Sequence, residues 1–452
     1  MVIKKHHHLL LSVIIVLGLV MWFWPKGRHN LPVIESGPNF TIQTWQTTNG
    51  AKVMFVPAPN IPMLDIHLVF DAGSARDEKL AGLASLTNAL MDQGAGAWDT
   101  DAIAERIDSI GAVLGNESQR DMATLSLRSL TRDKILKQAL ETFSEIVSNP
   151  RFATTDLERL RKQTLIALQS QAQSPDDIAD KKFFQALYGE HPYASPTLGT
   201  RESVKQITGK DIRDFYSRYY VARNAVIAIV GAVDRKQAES IAEQVVGKLS
   251  AGQAAPALPE VELLKQAITD THQHPSTQTH ILVGQPGMQR LDEDFYSLYV
   301  GNHILGGSGF GSRIMQEIRE KRGLAYSSYS YFLPLRSKGP FILGLQTRND
   351  QAPEALKVLN ETLKSFIKQG PTVDQLEHAK RNITGGFALR VDSNRDIVSY
   401  LAMIGFYSLP MDYLDRFNER VEAVTLKQIK DAFQRRVNPD LMVTVQVGRI
   451  KK

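Results

Sequence analysis

The sequence predicts an α+β protein made of two homologous domains, each a mainly antiparallel sheet backed by helices. Stretches of alternating hydrophobicity are interleaved with segments of helical period from residue 40 to 450. Two landmarks of the first half also return in the second half. The capped helix at 154–163 is echoed at 372–382, and the segment 211–215 is echoed at 428–433. Both pairs share an offset of about 217 residues, which indicates a duplication.

Composition limits the classes of protein that the chain can be. Its 452 residues suggest two to four domains, and a hydrophobic fraction of 43% with 22% charged residues is typical of globular proteins. The formal charge of +5 is spread along the chain, without a basic stripe interleaved with aromatics, so we predict no nucleic-acid partner. Because cysteine is absent, disulfides and thiolate metal sites are excluded.

The first thirty residues predict a targeting segment. Residues 9–24 carry no charge and end in two tryptophans, and Lys26 and Arg28 follow. At 1.5 Å per residue this run spans about 24 Å, close to the thickness of a hydrocarbon core. No small-x-small cleavage site follows it, so a signal anchor is favoured over a cleaved signal peptide. We therefore expect an inner-membrane anchor in residues 1–30 and the bulk of the chain in a bacterial periplasm.

The elements of the first domain follow in order from period and turn signals. Residues 40–47 and 51–57 predict a hairpin around Asn49-Gly50, and residues 64–70 alternate as a further strand. Helical period covers 80–93 and 99–111, a strand covers 122–130, and three helices follow across 132–188. A helix at 209–219 precedes a buried strand at 224–233 and one more helix ending near 249.

A change of composition separates the two halves. Residues 251–259 are rich in Ala, Gly and Pro, as is typical of a linker. We therefore place the first domain at 31–250, the linker at 251–262 and the second domain at 263–452.

A glycine-rich loop opens the most informative stretch of the second half. Apolar residues at 314, 315 and 318 predict a helix after the loop, Gly323 ends that helix, and residues 325–332 alternate as a strand. The loop lacks the Gly-Lys-Ser/Thr ending of a phosphate loop. Its glycines are Gly306, Gly307, Gly309 and Gly311.

This stretch, with the run Arg-Glu-Lys-Arg-Gly-Leu-Ala-Tyr at 319–326 and the duplication, resembles the pitrilysin-like M16 zinc peptidases and the mitochondrial processing peptidase subunits. The resemblance extends over residues 40–450 and implies two domains that face each other like shells around a substrate cavity. It also implies that Arg319 and Tyr326 bind substrate. A guanidinium can fork onto a backbone carbonyl, and a phenol can donate to an oxyanion. The structural alternative is a cation at a solvated helix end and a strand aromatic.

The glycine loop resembles the substrate loop of the non-catalytic processing-peptidase subunit, and a structural role as a tight helix entry stays equally open. In the first domain, residues 111–118 correspond to the edge strand with which the family pairs substrate. That correspondence is weak, because Gly115 and Asn116 are poor strand formers.

The first domain departs from the family at its metal site. Active members carry His-x-x-Glu-His on a helix and a distal Glu, which together bind zinc and activate water. The corresponding positions here are Ser85, Asn88, Ala89 and Ala167. No other histidines form an i, i+4 pair on a predicted helix. The resemblance therefore implies no metal or cofactor in this chain, with zinc expected on a partner.

These observations predict a pseudopeptidase subunit that is not an active zinc peptidase alone. It would pair with a zinc-bearing M16 homologue as a heterodimer, and bind peptide or unfolded protein through Arg319 and Tyr326. The alternative is a membrane-anchored peptide-binding or scaffolding protein of the same fold without proteolysis. Without cysteine or a recognisable Ser/His/Asp arrangement, an unrelated peptidase mechanism finds no support.

Overall fold

Two mixed β-sheets organise the computed structural model, which describes residues 40–449. The first sheet and a small hairpin (β4 with β5) are formed by β1 (Gln43–Gln46), β2 (Lys52–Pro57), β3 (Met63–Phe70), β4 (Gly94–Ala95), β5 (Trp98–Asp99), β6 (Val113–Ser118), β7 (Ala123–Leu130) and β8 (Ala225–Gly231). The second sheet is formed by β9 (Ile268–Gln273), β10 (Gln278–Pro286), β11 (Ala325–Phe332), β12 (Pro340–Arg348) and β13 (Val443–Gly448).

Helices follow the strands in both halves. In the first half they are α1 (Leu83–Leu90), α2 (Thr100–Asp108), α3 (Asp133–Ser148), α4 (Thr154–Gln171), α5 (Pro175–Tyr188), α6 (Arg201–Gln206), α7 (Gly209–Tyr219) and α8 (Arg235–Val246). In the second half they are α9 (Phe295–Asn302), α10 (Arg313–Met315), α11 (Ala352–Gln369), α12 (Val373–Phe387), α13 (Asn394–Tyr407), α14 (Phe417–Glu422) and α15 (Leu426–Arg436).

Both sheets are mainly antiparallel, so the predicted α+β class is confirmed. The first has the order β1-β2-β8-β3-β7-β6, and only β2 and β8 run parallel within it. The second has the order β11-β12-β10-β13-β9, with β13 and β9 parallel. The Asn49-Gly50 hairpin is present, and Gly50 has φ of +98°, which favours glycine. As a result, β6 and β11 each lie at the edge of a sheet.

The two halves exchange one helix each, which the sequence did not predict. Helix α5 of the first half packs Phe183 against Leu282 and Val445 of the second sheet. Helix α13 of the second half packs against the first sheet, where a Cβ on Gly405 would lie 2.5 Å from a methyl of Val226. Each sheet is therefore covered on one face by its own helices and on the other by a helix of the opposite half.

The glycine in the second sheet that admits α5 provides a stability prediction. A Cβ on Gly284 would lie 2.8 Å from Cζ of Phe183 and 2.1 Å from the backbone oxygen of Phe341. We expect Gly284→Ala to lower the free energy of unfolding by about 1–3 kcal/mol through overpacking. The matched control is Gly386→Ala on α12, where nothing lies within 4 Å. It should raise stability by up to about 1 kcal/mol. Equal urea midpoints for the two variants would contradict this packing.

A buried carboxylate joins the halves where the exchanged helices end. Asp121, only 2% exposed, accepts hydrogen bonds from the Tyr193 hydroxyl at 2.6 Å and the Tyr407 hydroxyl at 2.9 Å. It also accepts one from the backbone N–H of Arg336 at 2.7 Å. Tyr193 follows α5 and Tyr407 ends α13, so one side chain fixes both exchanged helices. Burial raises the pKa of Asp121, while these three donors oppose the shift.

Most element bounds agree with the sequence predictions. Helix α7 and strand β11 have the predicted bounds, whereas α1 and α2 are a few residues shorter than their periodic segments. Residues 251–264 form neither helix nor strand, and the domain boundaries themselves stay a prediction. The predicted anchor in residues 1–30 lies outside the described residues. Within residues 40–449, no helix is long and apolar enough to cross a membrane.

Candidate functional site

The structure brings the two predicted substrate-binding residues into contact. The guanidinium carbon of Arg319 lies 4.4 Å from the ring centroid of Tyr326 and 4.5 Å from that of Phe310. Tyr326 is 78% exposed and Phe310 is 61% exposed. A cation stacked on two aromatic faces is stabilised by both and is held in one orientation. Phe310, from the glycine-rich loop, was not singled out by the sequence, because a lone aromatic in a loop has no periodicity.

The Arg319 guanidinium keeps unused hydrogen-bonding capacity. The nearby carboxylate Glu317 accepts from Lys321 and from Arg322, each at 2.6 Å. Among residues 40–449 Arg319 forms no ion pair, and its Nη1 is buried without a hydrogen-bond partner. A buried donor without an acceptor is costly unless a ligand or water supplies one. Arg319 can therefore offer the edge of its guanidinium to a ligand.

The glycine loop and the following helix are less regular than predicted. A π-helical turn spans His303–Gly307, a 3₁₀ turn spans Gly309–Gly311, and Ser312 caps α10 by accepting from the Met315 N–H. After the short α10, a second π-helical turn spans Gln316–Glu320 and carries Arg319. The prediction of one continuous helix was wrong here, because over five residues the apolar spacing does not distinguish α from π turns. Such π turns are frequent at functional sites.

The four loop glycines have different roles. A Cβ on Gly306 would lie 2.4 Å from the backbone nitrogen of Ser330, so this glycine allows the loop to pack on β11. Asn302 fastens the same contact, because its amide donates to the Ser330 backbone oxygen at 2.9 Å. Gly309 has φ of +64°, whereas Gly307 and Gly311 are not in the left-handed region. Gly306 and Gly309 thus have the structural role that the sequence left open.

This difference predicts unequal effects of alanine. We expect Gly306→Ala to displace the loop from β11, lower stability by about 1–3 kcal/mol and weaken peptide binding, because Phe310 would shift. Gly311→Ala is the matched control, since its nearest neighbour is the Ser308 hydroxyl at 3.7 Å. Thermal unfolding and a peptide-binding titration of both variants would check this. Equal behaviour of the two would count against Gly306 as the packing position.

A β-bulge explains the high exposure of Tyr326. Ala325 pairs with Thr347 and Ser328 pairs with Leu345, so two residues, Tyr326 among them, are inserted between these pairs. The simple alternation predicted for 325–332 breaks there. Bulges re-aim side chains at sheet edges. Beyond the bulge, the Tyr329 ring lies against Gly344, where a Cβ would come within 2.5 Å of it.

The predicted degenerate metal positions lie in or near α1 and α4, and they do not fit zinc. Asn88 is buried, and its amide donates to the Thr124 backbone oxygen at 3.1 Å and the Tyr220 hydroxyl at 3.4 Å. Ser85 lines a cavity, Ala89 is half-buried, and Ala167 is exposed on α4. None of these side chains offers a carboxylate or an imidazole. Residues 40–449 contain no group of three metal-binding side chains.

A cavity of about 740 Å³ lies beside these positions. Ser85 of α1, Leu168 of α4 and His272 of β9 are among its lining residues, so both halves contribute to its wall. The edge strand β6 begins nearby. It forms in spite of Gly115 and Asn116, and the Asn116 amide ties it to α1 by donating to the Asn88 backbone oxygen at 3.1 Å.

Comparison with known proteins identifies the family. A family model described as insulinase (peptidase family M16) matches residues 52–201, and one described as the peptidase M16 inactive domain matches residues 206–383. A crystal structure of a peptidase M16 inactive domain from Pseudomonas fluorescens is 40% identical, with a TM-score of 0.88. That match covers 91% of this chain and all of the other. The chain belongs to peptidase family M16.

Other M16 relatives differ in what their names state. A protein named non-peptidase homolog YmxG from Helicobacter pylori is 26% identical over 86% of this chain and 90% of its own length. A Bacillus subtilis protein named uncharacterized zinc protease YmxG is 24% identical over 86% and 94%. A chain of complex III from Candida albicans shares the fold, with 16% identity, coverage of 90% and 96%, and a TM-score of 0.76.

Within this M16 chain, the two family models separate the two candidate regions. The inactive-domain match at 206–383 contains Phe310, Arg319 and Tyr326. The insulinase match at 52–201 contains the four degenerate metal positions. The M16 assignment predicted from the sequence is therefore confirmed, and the roles of the individual residues stay predictions.

Proposed function

We propose that the chain is the non-catalytic subunit of a two-chain M16 peptidase. It binds an extended peptide with Arg319 and Tyr326, and a zinc-bearing homologue supplies the metal and the general base. The observation that carries this proposal is the arrangement of Arg319 between Phe310 and Tyr326 with an unpartnered, buried Nη1. A guanidinium left without an acceptor in an otherwise ordered site is suited to a ligand oxygen.

The geometry suggests how the two residues would divide the task. The aromatic rings cover the faces of the Arg319 guanidinium, so only its edge is available, and that edge can fork onto a peptide carbonyl. The Tyr326 hydroxyl lies on the exposed bulge and can donate to an oxyanion that develops on the partner's zinc. Both groups bind and stabilise, and neither can activate water.

The degenerate metal positions support dependence on a second chain. Asn88 presents N–H groups to its neighbours and is held by two hydrogen bonds, so it neither attracts a cation nor abstracts a proton. The edge strand β6 remains available for pairing with an extended peptide, in addition to the Arg319 site. This chain would therefore contribute recognition, and chemistry would come from the homologue.

A scaffolding protein of the same fold is the second candidate. Its supporting observation is the name non-peptidase homolog of the Helicobacter pylori relative. A mixing experiment distinguishes the two. Each purified chain, this one and its zinc-bearing homologue, is incubated with an unfolded fluorogenic peptide, alone and together. The two-chain proposal expects rapid cleavage only by the mixture. Equal cleavage by the homologue with and without this chain would favour the scaffold.

A further inference from the structure

The cavity beside α1 contains a guanidinium without a countercharge in direct contact. Arg120 lies in the turn between β6 and β7, and its side chain lines the 740 Å³ cavity. The turn is fixed by backbone hydrogen bonds: Ala75 N–H donates to the Arg120 oxygen at 2.9 Å, and Ser74 N–H donates to the Gln119 oxygen at 2.8 Å. Gly73 permits this approach, because a Cβ there would lie 2.4 Å from the Arg120 oxygen. Arg120 therefore enters the cavity from a rigid base.

The contacts of Arg120 leave most of its donors unused. Its guanidinium stacks on the Phe184 ring at 3.5 Å, and Nη1 makes one long hydrogen bond to the Thr197 hydroxyl at 3.4 Å. Its Nε is buried without a partner. The adjacent carboxylate, Asp121, is occupied by Tyr193, Tyr407 and Arg336. Within residues 40–449, no carboxylate forms an ion pair with Arg120, although a guanidinium has five N–H donors.

Further unsatisfied donors surround the same cavity. The hydroxyl of Ser118, which lines the cavity with Arg120, is buried without a hydrogen-bond partner. The hydroxyl of Ser195, between the lining residues Ala194 and Pro196, is also buried and unpartnered. Native proteins rarely bury several unsatisfied polar groups in one place. A polar ligand that accepts hydrogen bonds would satisfy this group.

The charges around the cavity favour an anion at Arg120. Lys181 and Lys182 also line it, and Lys182 pairs with Asp270 at 3.0 Å. Asp177 and Asp180 are the acidic lining residues, and Asp180 acts on Arg120 only from beyond ion-pair distance. Burial lowers the pKa of Arg120, with Asp180 as the largest opposing influence. A guanidinium nevertheless stays protonated in proteins, so its charge needs compensation.

We propose that Arg120, with Ser118 beside it, binds a carboxylate of the peptide in this cavity. The bound group is either the free C-terminal carboxylate or a Glu or Asp side chain, since both present the same pair of oxygens to a guanidinium fork. This inference rests on the proposed function, because it assumes a peptide ligand. It adds a recognition site distinct from Arg319 and Tyr326, and it predicts a preference of the chain for peptides with an accessible carboxylate.

The test measures the affinity of the full-length chain for three forms of one short fluorescent peptide by anisotropy. One form has a free C-terminus, one has a C-terminal amide and no acidic residue, and one has the amide with a single internal Glu. We expect the free acid to bind roughly tenfold or more tightly than the amide. Arg120→Gln should remove this preference and leave binding of the amide unchanged. Arg120→Lys, which keeps the charge but not the fork, should retain part of it.

The variants separate this inference from the proposed function. Arg319→Gln should weaken all three forms alike, and Arg348→Gln, whose exposed guanidinium already pairs with Asp350, should change none. A preference for the internal Glu over the plain amide would support the site with a side chain as its ligand. Equal affinity of all three forms for the unaltered chain would overturn the carboxylate site alone. Absence of binding of every form would overturn the proposed function and this inference with it.

Discussion

Replacing Tyr326 by phenylalanine is expected to lower peptide turnover by the complex with a zinc-bearing homologue roughly a hundredfold. The change removes one hydroxyl and keeps the ring that stacks on Arg319 at 4.4 Å. Because Tyr326 is 78% exposed, the loss of its hydroxyl should not alter the fold. One donor to a developing oxyanion is worth about 2–4 kcal/mol, which sets the size of the effect.

The matched control is Tyr329→Phe, the same chemical change three residues further along β11. The Tyr329 ring packs against Gly344, and we assign its hydroxyl no role. Single-turnover rates and co-elution with the homologue should be measured for both variants. The expected result is intact assembly in both, with the rate reduced only for Tyr326→Phe. Normal turnover by that variant would remove Tyr326 from the mechanism.

Replacing Asp121 by alanine is expected to lower the free energy of unfolding by about 3–5 kcal/mol. The carboxylate accepts hydrogen bonds from two phenols and one backbone N–H, and its removal leaves all three donors buried and unpaired. Because Tyr193 and Tyr407 belong to opposite halves of the chain, the loss should loosen the contact between the halves. Urea unfolding and protection of the α13 amides against hydrogen exchange would report it.

The control for this change is Asp392→Ala, at an exposed position just before α13. It should alter the urea midpoint little, because an exposed carboxylate is already solvated. Tyr193→Phe and Tyr407→Phe should each cost less than Asp121→Ala, since each removes one of the three hydrogen bonds. If Asp121→Ala unfolded at the same urea concentration as Asp392→Ala, the joining role of Asp121 would be wrong.

The sequence predicted the elements well where local chemistry fixes them. Threonine caps at Thr208, Thr372 and Thr425 form capping boxes that start α7, α12 and α15, as the matched landmarks suggested. The apolar run at 224–233 is β8, buried along its whole length between β2 and β3. The spacing of Arg319 and Tyr326 was enough to bring these two side chains together, through the resemblance to the family.

Other features depend on distant parts of the chain, so periodicity could not show them. The apolar faces of α5 and α13 indicate burial, but they do not state which sheet each helix covers. The contact of Phe310 with Arg319 requires the π turns and the fit of Gly306 against Ser330. The unpaired state of Arg120 follows from the commitment of Asp121 to other donors, which only the folded chain reveals.

The most direct test of the two-chain account is a pull-down of the tagged full-length protein from its native cells in mild detergent. The protein that co-elutes would be identified by mass, and its zinc content measured. The account predicts a homologue of similar size, in equal amount, that carries His-x-x-Glu-His and one zinc ion. A metal-free preparation, alone or with unrelated proteins, would contradict the account and favour the scaffold.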